Sequence, residues 1–176
     1  MTQAFDAAKL GLIVLTAAIL QVTVVSSLEL AGGAPDLLLV TLVAVALLRG
    51  ASVGAGAGFF AGLLVDTALL GTLGLSSFLL TLVGYWAGRY GETSGRGRPH
   101  AGLVAVGAMT ILLAAGELVL HFVLGVEVSP GLVLFDALLP SLLLNLALAA
   151  PVAALCARLL RRTGREPAVR EVRLLG

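Results

Sequence analysis

The basic residues of this 176-residue chain are confined to four places, which are separated by long apolar stretches. All eleven Lys and Arg residues are Lys9, Arg49, or lie within residues 89–98 or 158–173. Because cytoplasmic loops of membrane proteins carry an excess of Lys and Arg, these places are predicted to be cytoplasmic. Three out-and-back hairpins then predict six membrane spans with both termini inside. The intervening turns, predicted to be external, carry acids but no Lys or Arg: Glu29 and Asp36, Asp66, then Glu127 and Asp136.

The composition agrees with an integral membrane protein. Hydrophobic residues make up 59% of the chain and charged residues only 12%, which is far from the average of soluble proteins. Six helices leave no length for a separate soluble domain. We therefore expect one all-α polytopic membrane domain at residues 1–160 and a basic cytoplasmic tail at 161–176. The net charge of +1 conceals this segregation, so the charge indicates orientation and not nucleic-acid binding.

The spans are predicted at 7–28, 35–49, 50–70, 73–90, 101–125 and 132–160. A membrane helix needs about 20 residues at ~1.5 Å each, so the second span is short. It is expected to tilt little or to begin below the outer surface. The first span has an alternative interpretation as a signal peptide, because residues 10–25 form an apolar core followed by Ser26 and Ser27. A single Lys offset by Asp6 before that core disfavours this alternative.

Small residues recur at every fourth position of the third span, and Asp66 continues that series. Residues four apart lie on one helix face, so this pattern predicts a ridge without side chains against which another helix packs closely. The alternative is a seam that moves during function. The predicted packing and partner-binding glycines are Gly50, Gly54, Gly58 and Gly62, with Gly84 and Gly88 in span four. A third ridge in span six comprises Ser141, Asn145, Ala149, Ala153 and Ala157.

Ionisable residues within spans point to function, because each is costly unless it is paired or hydrated. Glu117 and His121 lie four apart and are candidates for a hydrogen-bonded pair. Asp66 and Glu117 fall at similar depth in the outer half, together with His121, Asp136 and Asn145. Either these residues line one externally open polar pocket, or Asp66, His121 and Asp136 lie in the headgroup layer and Glu117 alone is buried, paired with His121. Asp66 is expected to be buried, with donors from a neighbouring span or partner, His121 being one candidate.

Residue patterns typical of enzymes are missing from the sequence. No His, Cys, Asp and Glu cluster has metal-ligand spacing, and no Ser or Cys nucleophile accompanies a base in a loop. Gly54-x-Gly56-x-Gly58 lies within an apolar span, so it is no phosphate loop. Cys156, the single cysteine, is interpreted as a small apolar filler. We therefore expect neither enzymatic activity nor a metal or cofactor.

Five short motifs follow one another along the first half of the chain. They are PDLLL at 35–39, LRG at 48–50, GFFAGLLVD at 58–66, GTLG at 71–74 and LVGYWAGR at 82–89. In order and spacing they resemble the bacterial rod shape-determining membrane protein family MreD. The resemblance covers about residues 10–90 by motif and the rest by length, span count and topology. Its motif residues are Pro35, Asp36, Arg49, Asp66 and Arg89.

The resemblance implies a non-enzymatic scaffold of the elongasome, the machinery that inserts side-wall peptidoglycan, in the bacterial inner membrane. Such a protein binds the bitopic protein MreC and, through it, acts with RodA, its partner transpeptidase and MreB. The family is also similar in fold to the substrate-binding subunits of energy-coupling-factor transporters. This similarity supplies the alternative, a small-ligand-binding transport subunit.

Aromatic residues help to separate these two interpretations. A vitamin-binding pocket normally offers several aromatic and hydrogen-bonding side chains. Here aromatics are 5% of the chain, and Tyr85, Trp86 and Tyr90 lie at the predicted cytoplasmic end of span four. The scaffold is therefore favoured. A third class, a membrane enzyme acting on a lipid-linked precursor, is disfavoured by the missing catalytic residues.

Overall fold

The computed structural model describes residues 2–23, 33–70, 72–94, 101–125 and 138–160. Within these ranges the chain is all-helical and forms six helices, one in each predicted span, which confirms the all-α part of the predicted fold class. The earlier-named Glu29, Glu127, Asp136 and the tail at 161–176 lie outside the described residues. The helices are α1 (Thr2–Thr23), α2 (Leu37–Arg49), α3 (Ala51–Ala68), α4 (Leu75–Thr93), α5 (Ala101–Val123) and α6 (Leu138–Leu159).

Three of the described helices, α3, α5 and α6, are long and apolar enough to cross a membrane. Helix α2 is apolar but has only 13 residues. At ~1.5 Å per residue it extends about 20 Å, less than the ~30 Å hydrocarbon core. The shortness predicted for the second span is therefore confirmed, while the crossing of the membrane by all six helices stays a prediction.

Helix α2 forms the centre of the bundle and packs against each of the other five helices. Nine consecutive residues, from Leu38 to Ala46, are buried. A helix that is apolar on all sides is suited to such complete enclosure. The surrounding helices follow one another in the order α1, α3, α4, α5 and α6. A groove between α6 and α1 interrupts the ring, and residues of α2 line its floor.

The outward faces of the surrounding helices are strongly apolar. Leu12 on α1, Phe60 on α3 and Phe122 on α5 are 64%, 67% and 85% exposed. Large apolar side chains distributed around a protein in this way mark a surface that does not face water. The bundle thus has the exterior that a lipid environment requires.

Candidate functional site

Helices α3 and α4 pack backbone against backbone. A methyl group built on Gly54 would overlap the carbonyl group of Gly84, and one built on Gly84 would overlap that of Gly54. Gly58 faces the carbonyl group of Leu80 in the same way. The predicted ridge is thus a packing seam, in which close van der Waals contact replaces the hydrophobic drive that lipid cannot supply.

The seam continues towards both ends of the two helices. Gly62 lies against the backbone of Ser77, and Gly88 lies against that of Ala51. Gly50, predicted as the first residue of the ridge, faces Gly88 of α4 with its carbonyl carbon and also joins α2 to α3, with a φ of 98°. This backbone conformation is open to glycine and disfavoured for other residues, so Gly50 allows the sharp junction between the two helices.

The close contact between α3 and α4 separates two roles predicted for these glycines. Their helix-packing role is visible in the structure. A partner's helix, however, would have to displace α3 or α4 to reach Gly54, Gly58, Gly62 or Gly84, because each faces the opposite helix of the pair. A partner must therefore use other surfaces.

The two helices also cap each other at their N-termini. Asp66, near the end of α3, is 4% exposed and accepts hydrogen bonds from the N–H groups of Gly74 (2.7 Å) and Ser76 (3.2 Å). Glu92, near the end of α4, accepts from the N–H group of Ala51, 2.9 Å away. Each carboxylate thus satisfies N–H groups that have no partner within their own helix, at the positive end of the helix dipole.

This reciprocal capping revises the predictions for Asp66 and explains the place of Arg89. The burial of Asp66 agrees with the prediction, but its donors are backbone groups of the α4 N-terminus and not His121. Arg89 lies 3.4 Å from Glu92, the other capping carboxylate. Sequence reasoning missed Glu92, although an acid at a helix end facing a neighbouring N-terminus was the available signal.

A second polar cluster holds the segment that enters α2. Asp36 caps α2 by accepting from the N–H group of Leu39 at 2.8 Å. Its own N–H group donates to Oδ1 of Asn145 on α6, 2.7 Å away. The Nδ2 group of Asn145 in turn donates to Oγ1 of Thr110 on α5 at 3.2 Å. Helices α2, α5 and α6 are therefore joined through one buried amide.

Gln21 of α1 completes this polar cluster from the opposite side. Its Oε1 atom accepts from the N–H group of Leu37 at 2.8 Å, and its Nε2 group donates to the carbonyl of Pro35 at 3.3 Å. Thr110 lies nine residues beyond the start of α5, or ~14 Å, so this part of the cluster lies well inside the bundle. Irregular backbone inside a helical bundle requires hydrogen bonds from the protein, which Gln21 and Asn145 provide.

These contacts also show what sequence reasoning missed. Gln21 was overlooked, although a lone amide in an apolar helix is itself a signal because it is costly without a partner. Thr110 carried no signal, since threonine is common in apolar helices and bonds its own helix, here the carbonyl of Val106. Asn145 was expected in an outer pocket and instead organises the start of α2.

Arg49 fastens the opposite end of α2. Its Nη2 group lies 3.5 Å from the carbonyl of Leu160, just past the end of α6. A cation at this position satisfies a carbonyl that has no partner within its helix. All five motif residues thus lie at helix ends or in the segment that enters α2: Pro35, Asp36, Arg49, Asp66 and Arg89.

A small cavity of about 150 Å³ lies beside the start of α2. Its polar lining comes from Gln21, Asp36, Ser76 and Glu117. Of the residues predicted to share an outer pocket, Glu117 therefore lines this cavity. Asp66, His121 and Asn145 are not among the residues that line it.

The pair predicted between Glu117 and His121 forms through the backbone and not between the two side chains. Nδ1 of His121 donates to the backbone carbonyl of Glu117 at 2.8 Å. This difference has a physical reason, because a ring four residues along a helix reaches the carbonyl of the preceding turn. Across the described part of the chain, no three His, Cys, Asp or Glu residues are grouped to hold a metal ion.

Comparison with known proteins gives one match. A family model with the description "rod shape-determining protein MreD" matches residues 6–163. The match extends from within α1 past the end of α6 and so includes α5, for which the motifs gave no signature. No curated protein and no solved structure matches the chain significantly.

Proposed function

Because the chain belongs to the MreD family of rod shape-determining proteins, we propose that it is a non-enzymatic scaffold of the elongasome. In this role it binds an MreC-like bitopic membrane protein and helps to control cell shape and side-wall peptidoglycan synthesis. Its links to RodA, the partner transpeptidase and MreB are indirect and run through that partner.

The observation that carries this proposal is that the polar side chains bind backbone groups at helix ends. Asp36, Asp66 and Glu92 satisfy helix N-termini, while Gln21 and Asn145 satisfy the segment that enters α2. Catalysis requires convergent titratable groups that are available to a substrate. Groups committed to holding backbone ends serve rigidity, which is the property that a scaffold needs.

The cavity beside the start of α2 supports a scaffold over the alternative, a transport subunit that binds a small ligand. Its volume of about 150 Å³ is below the roughly 300 Å³ at which small-molecule pockets begin. Among the described residues that line it, none is aromatic. The cavity suits a few water molecules beside Asp36 and Glu117 better than a vitamin-sized ligand.

The arrangement of charges supports a six-span topology with both termini cytoplasmic. Arg49 at the end of α2 contacts the end of α6, and Lys9 and Arg158 line one groove. These cations therefore share one end of the bundle. Asp36 and Glu117 line the cavity at the other end. By the positive-inside rule, the cationic end faces the cytoplasm in the inner membrane.

The decisive experiment is to purify the protein alone and with an MreC-like partner, and to examine both samples by mass spectrometry. We expect a stable complex that resists high salt, because docking by apolar packing is insensitive to ionic screening. We expect no stoichiometric water-soluble ligand. Finding such a ligand, together with no detectable complex, would overturn the scaffold and favour the transport subunit.

A further inference from the structure

The groove between α1 and α6 is an elongated opening in the ring of helices. Its volume is about 570 Å³, and Leu37 and Thr41 of the central helix form part of its floor. Along α1 it extends from Lys9 to Leu20. That interval of eleven residues corresponds to ~16 Å, about half of the ~30 Å hydrocarbon core. The groove thus has the length of one lipid leaflet.

The groove is apolar along its length and cationic at one end. Lys9 of α1 and Arg158 of α6 are both exposed and both line it. Between Lys9 and Leu20 the lining is almost entirely aliphatic, and none of the described lining residues is acidic. An occupant that matches this pattern has an anionic head and a hydrocarbon body.

A second groove, between α4 and α5, differs from the α1/α6 groove in how its cation is balanced. The α4/α5 groove has a similar volume, about 590 Å³, and Arg89 is its cation. The guanidinium of Arg89 is 3.4 Å from the carboxylate of Glu92 on the same helix. Its charge is therefore already balanced locally, which makes it a matched control.

We propose that the α1/α6 groove binds an anionic phospholipid of the cytoplasmic leaflet. Lys9 and Arg158 hold the phosphodiester, and one acyl chain lies along the aliphatic stretch against Thr41. Basic pockets between membrane helices on the cytoplasmic side bind such headgroups, and a guanidinium can bind phosphate through two donors. The bound lipid would fill the gap in the ring and couple the protein to membrane composition.

The length of the groove favours a lipid over a partner's helix. A helix that crosses the membrane extends over the ~30 Å hydrocarbon core, about twice the ~16 Å from Lys9 to Leu20 along α1. An acyl chain of one leaflet matches the shorter length.

The test uses the full protein reconstituted in nanodiscs of equal palmitoyl-oleoyl phosphatidylglycerol and phosphatidylcholine. Lipids retained after detergent extraction are counted by native mass spectrometry. We expect the parent to retain phosphatidylglycerol preferentially. Each cation near an anionic surface contributes about fivefold, so Lys9→Gln with Arg158→Gln should lower this retention about 25-fold. The matched control, Arg89→Gln, should change it less than twofold.

A second variant keeps both charges and fills the groove. Thr16 lines the groove and is exposed, so Thr16→Trp should leave the bundle folded while excluding the acyl chain. We expect it to lose phosphatidylglycerol as the charge variant does. Equal retention of both lipids by the parent would overturn the proposal, as would a loss in Arg89→Gln as large as that in the Lys9 and Arg158 variant. A partner polypeptide that cross-links at position 16 of a protein that retains no phosphatidylglycerol would also overturn it.

Discussion

The α3–α4 hairpin and the α5–α6 hairpin differ in how closely their two helices pack. In the first, Gly54 and Gly84 bring the two backbones into direct contact. In the second, a methyl group built on Gly107 would meet only side-chain methyls of Leu146 and Leu142, at 3.8 and 3.9 Å. Leucine side chains therefore separate α5 from α6 along this stretch.

The difference shows where the protein is rigid and where it offers surface. The α3–α4 contact fixes both helices and brings Asp66 and Glu92 within reach of the opposite N-termini. Only 17% of the most apolar part of α5, and of that of α6, is buried, compared with 33% for α3. We infer that α3–α4 acts as the internal frame, whereas α5 and α6 present side chains to lipid or a partner.

The largest effect is predicted for a substitution that fills the glycine seam. Gly58→Leu would drive a side chain into the backbone of Leu80. We expect a loss of more than about 3 kcal/mol of stability, beyond ordinary overpacking. Membrane insertion should be unaffected, because the substitution makes the helix more apolar. Monodispersity and the melting temperature of the purified protein measure the effect.

The same helix supplies the control for this prediction. A methyl group built on Gly56 meets nothing within 4 Å, so Gly56→Leu adds the same side chain to an open face. We expect Gly56→Leu to purify with its partner and to support cell shape like the parent. Parental behaviour of Gly58→Leu in both assays would show that the seam does not hold the protein together.

The second prediction concerns the capping carboxylate of the α3–α4 hairpin. Asp66→Leu would leave the N–H groups of Gly74 and Ser76 without their acceptor, at about 1–3 kcal/mol for each buried group. Asp66→Asn should be milder, because the amide oxygen can still accept a hydrogen bond. Thermal unfolding in detergent gives the ranking. If both variants melt like the parent, Asp66 does not cap α4.

Asn145 offers the corresponding test on the α5–α6 side. Asn145→Leu removes the acceptor of one backbone N–H group, that of Asp36, while Thr110 keeps its bond to Val106. We therefore expect a smaller loss than in Asp66→Leu, where two N–H groups lose their acceptor. A larger loss in Asn145→Leu would show that the hydrogen bonds at the start of α2 stabilise the protein more than the capping of α4 does.

The sequence revealed the helices and the glycine seam more readily than the hydrogen-bond partners. A four-residue spacing identifies one helix face, so Gly54 and Gly58 could be assigned to a contact before the opposite helix was known. Gly56 lies between them and faces open space, as the same periodicity requires. The short α2 followed from counting residues between Asp36 and Arg49.

The partners of the polar residues depend on the axial register between helices, which local spacing does not encode. The donors to Asp66 are backbone groups, and a backbone N–H group has no sequence signature. Gln21 and Asn145 both bind the segment at Pro35 and Asp36, where Pro35 is 14 residues from Gln21 and Asp36 is 109 residues from Asn145. Only the assembled bundle brings these groups together, so the polar contacts could not be assigned from spacing alone.

The smallest effect, and one of opposite sign, is predicted for the α5–α6 hairpin. Gly107→Ala adds a methyl group at ordinary van der Waals distance from Leu146 and Leu142, so no backbone has to move. Alanine also favours the helix by roughly 0.5–1 kcal/mol over glycine. We expect a slightly raised melting temperature, whereas Gly84→Ala, which adds the same methyl group to the α3–α4 seam, should lower it. Both substitutions change helix propensity alike, so opposite changes in melting temperature would report the difference in packing between the two hairpins. If both variants shift the melting temperature in the same direction, the two hairpins do not differ in packing as proposed.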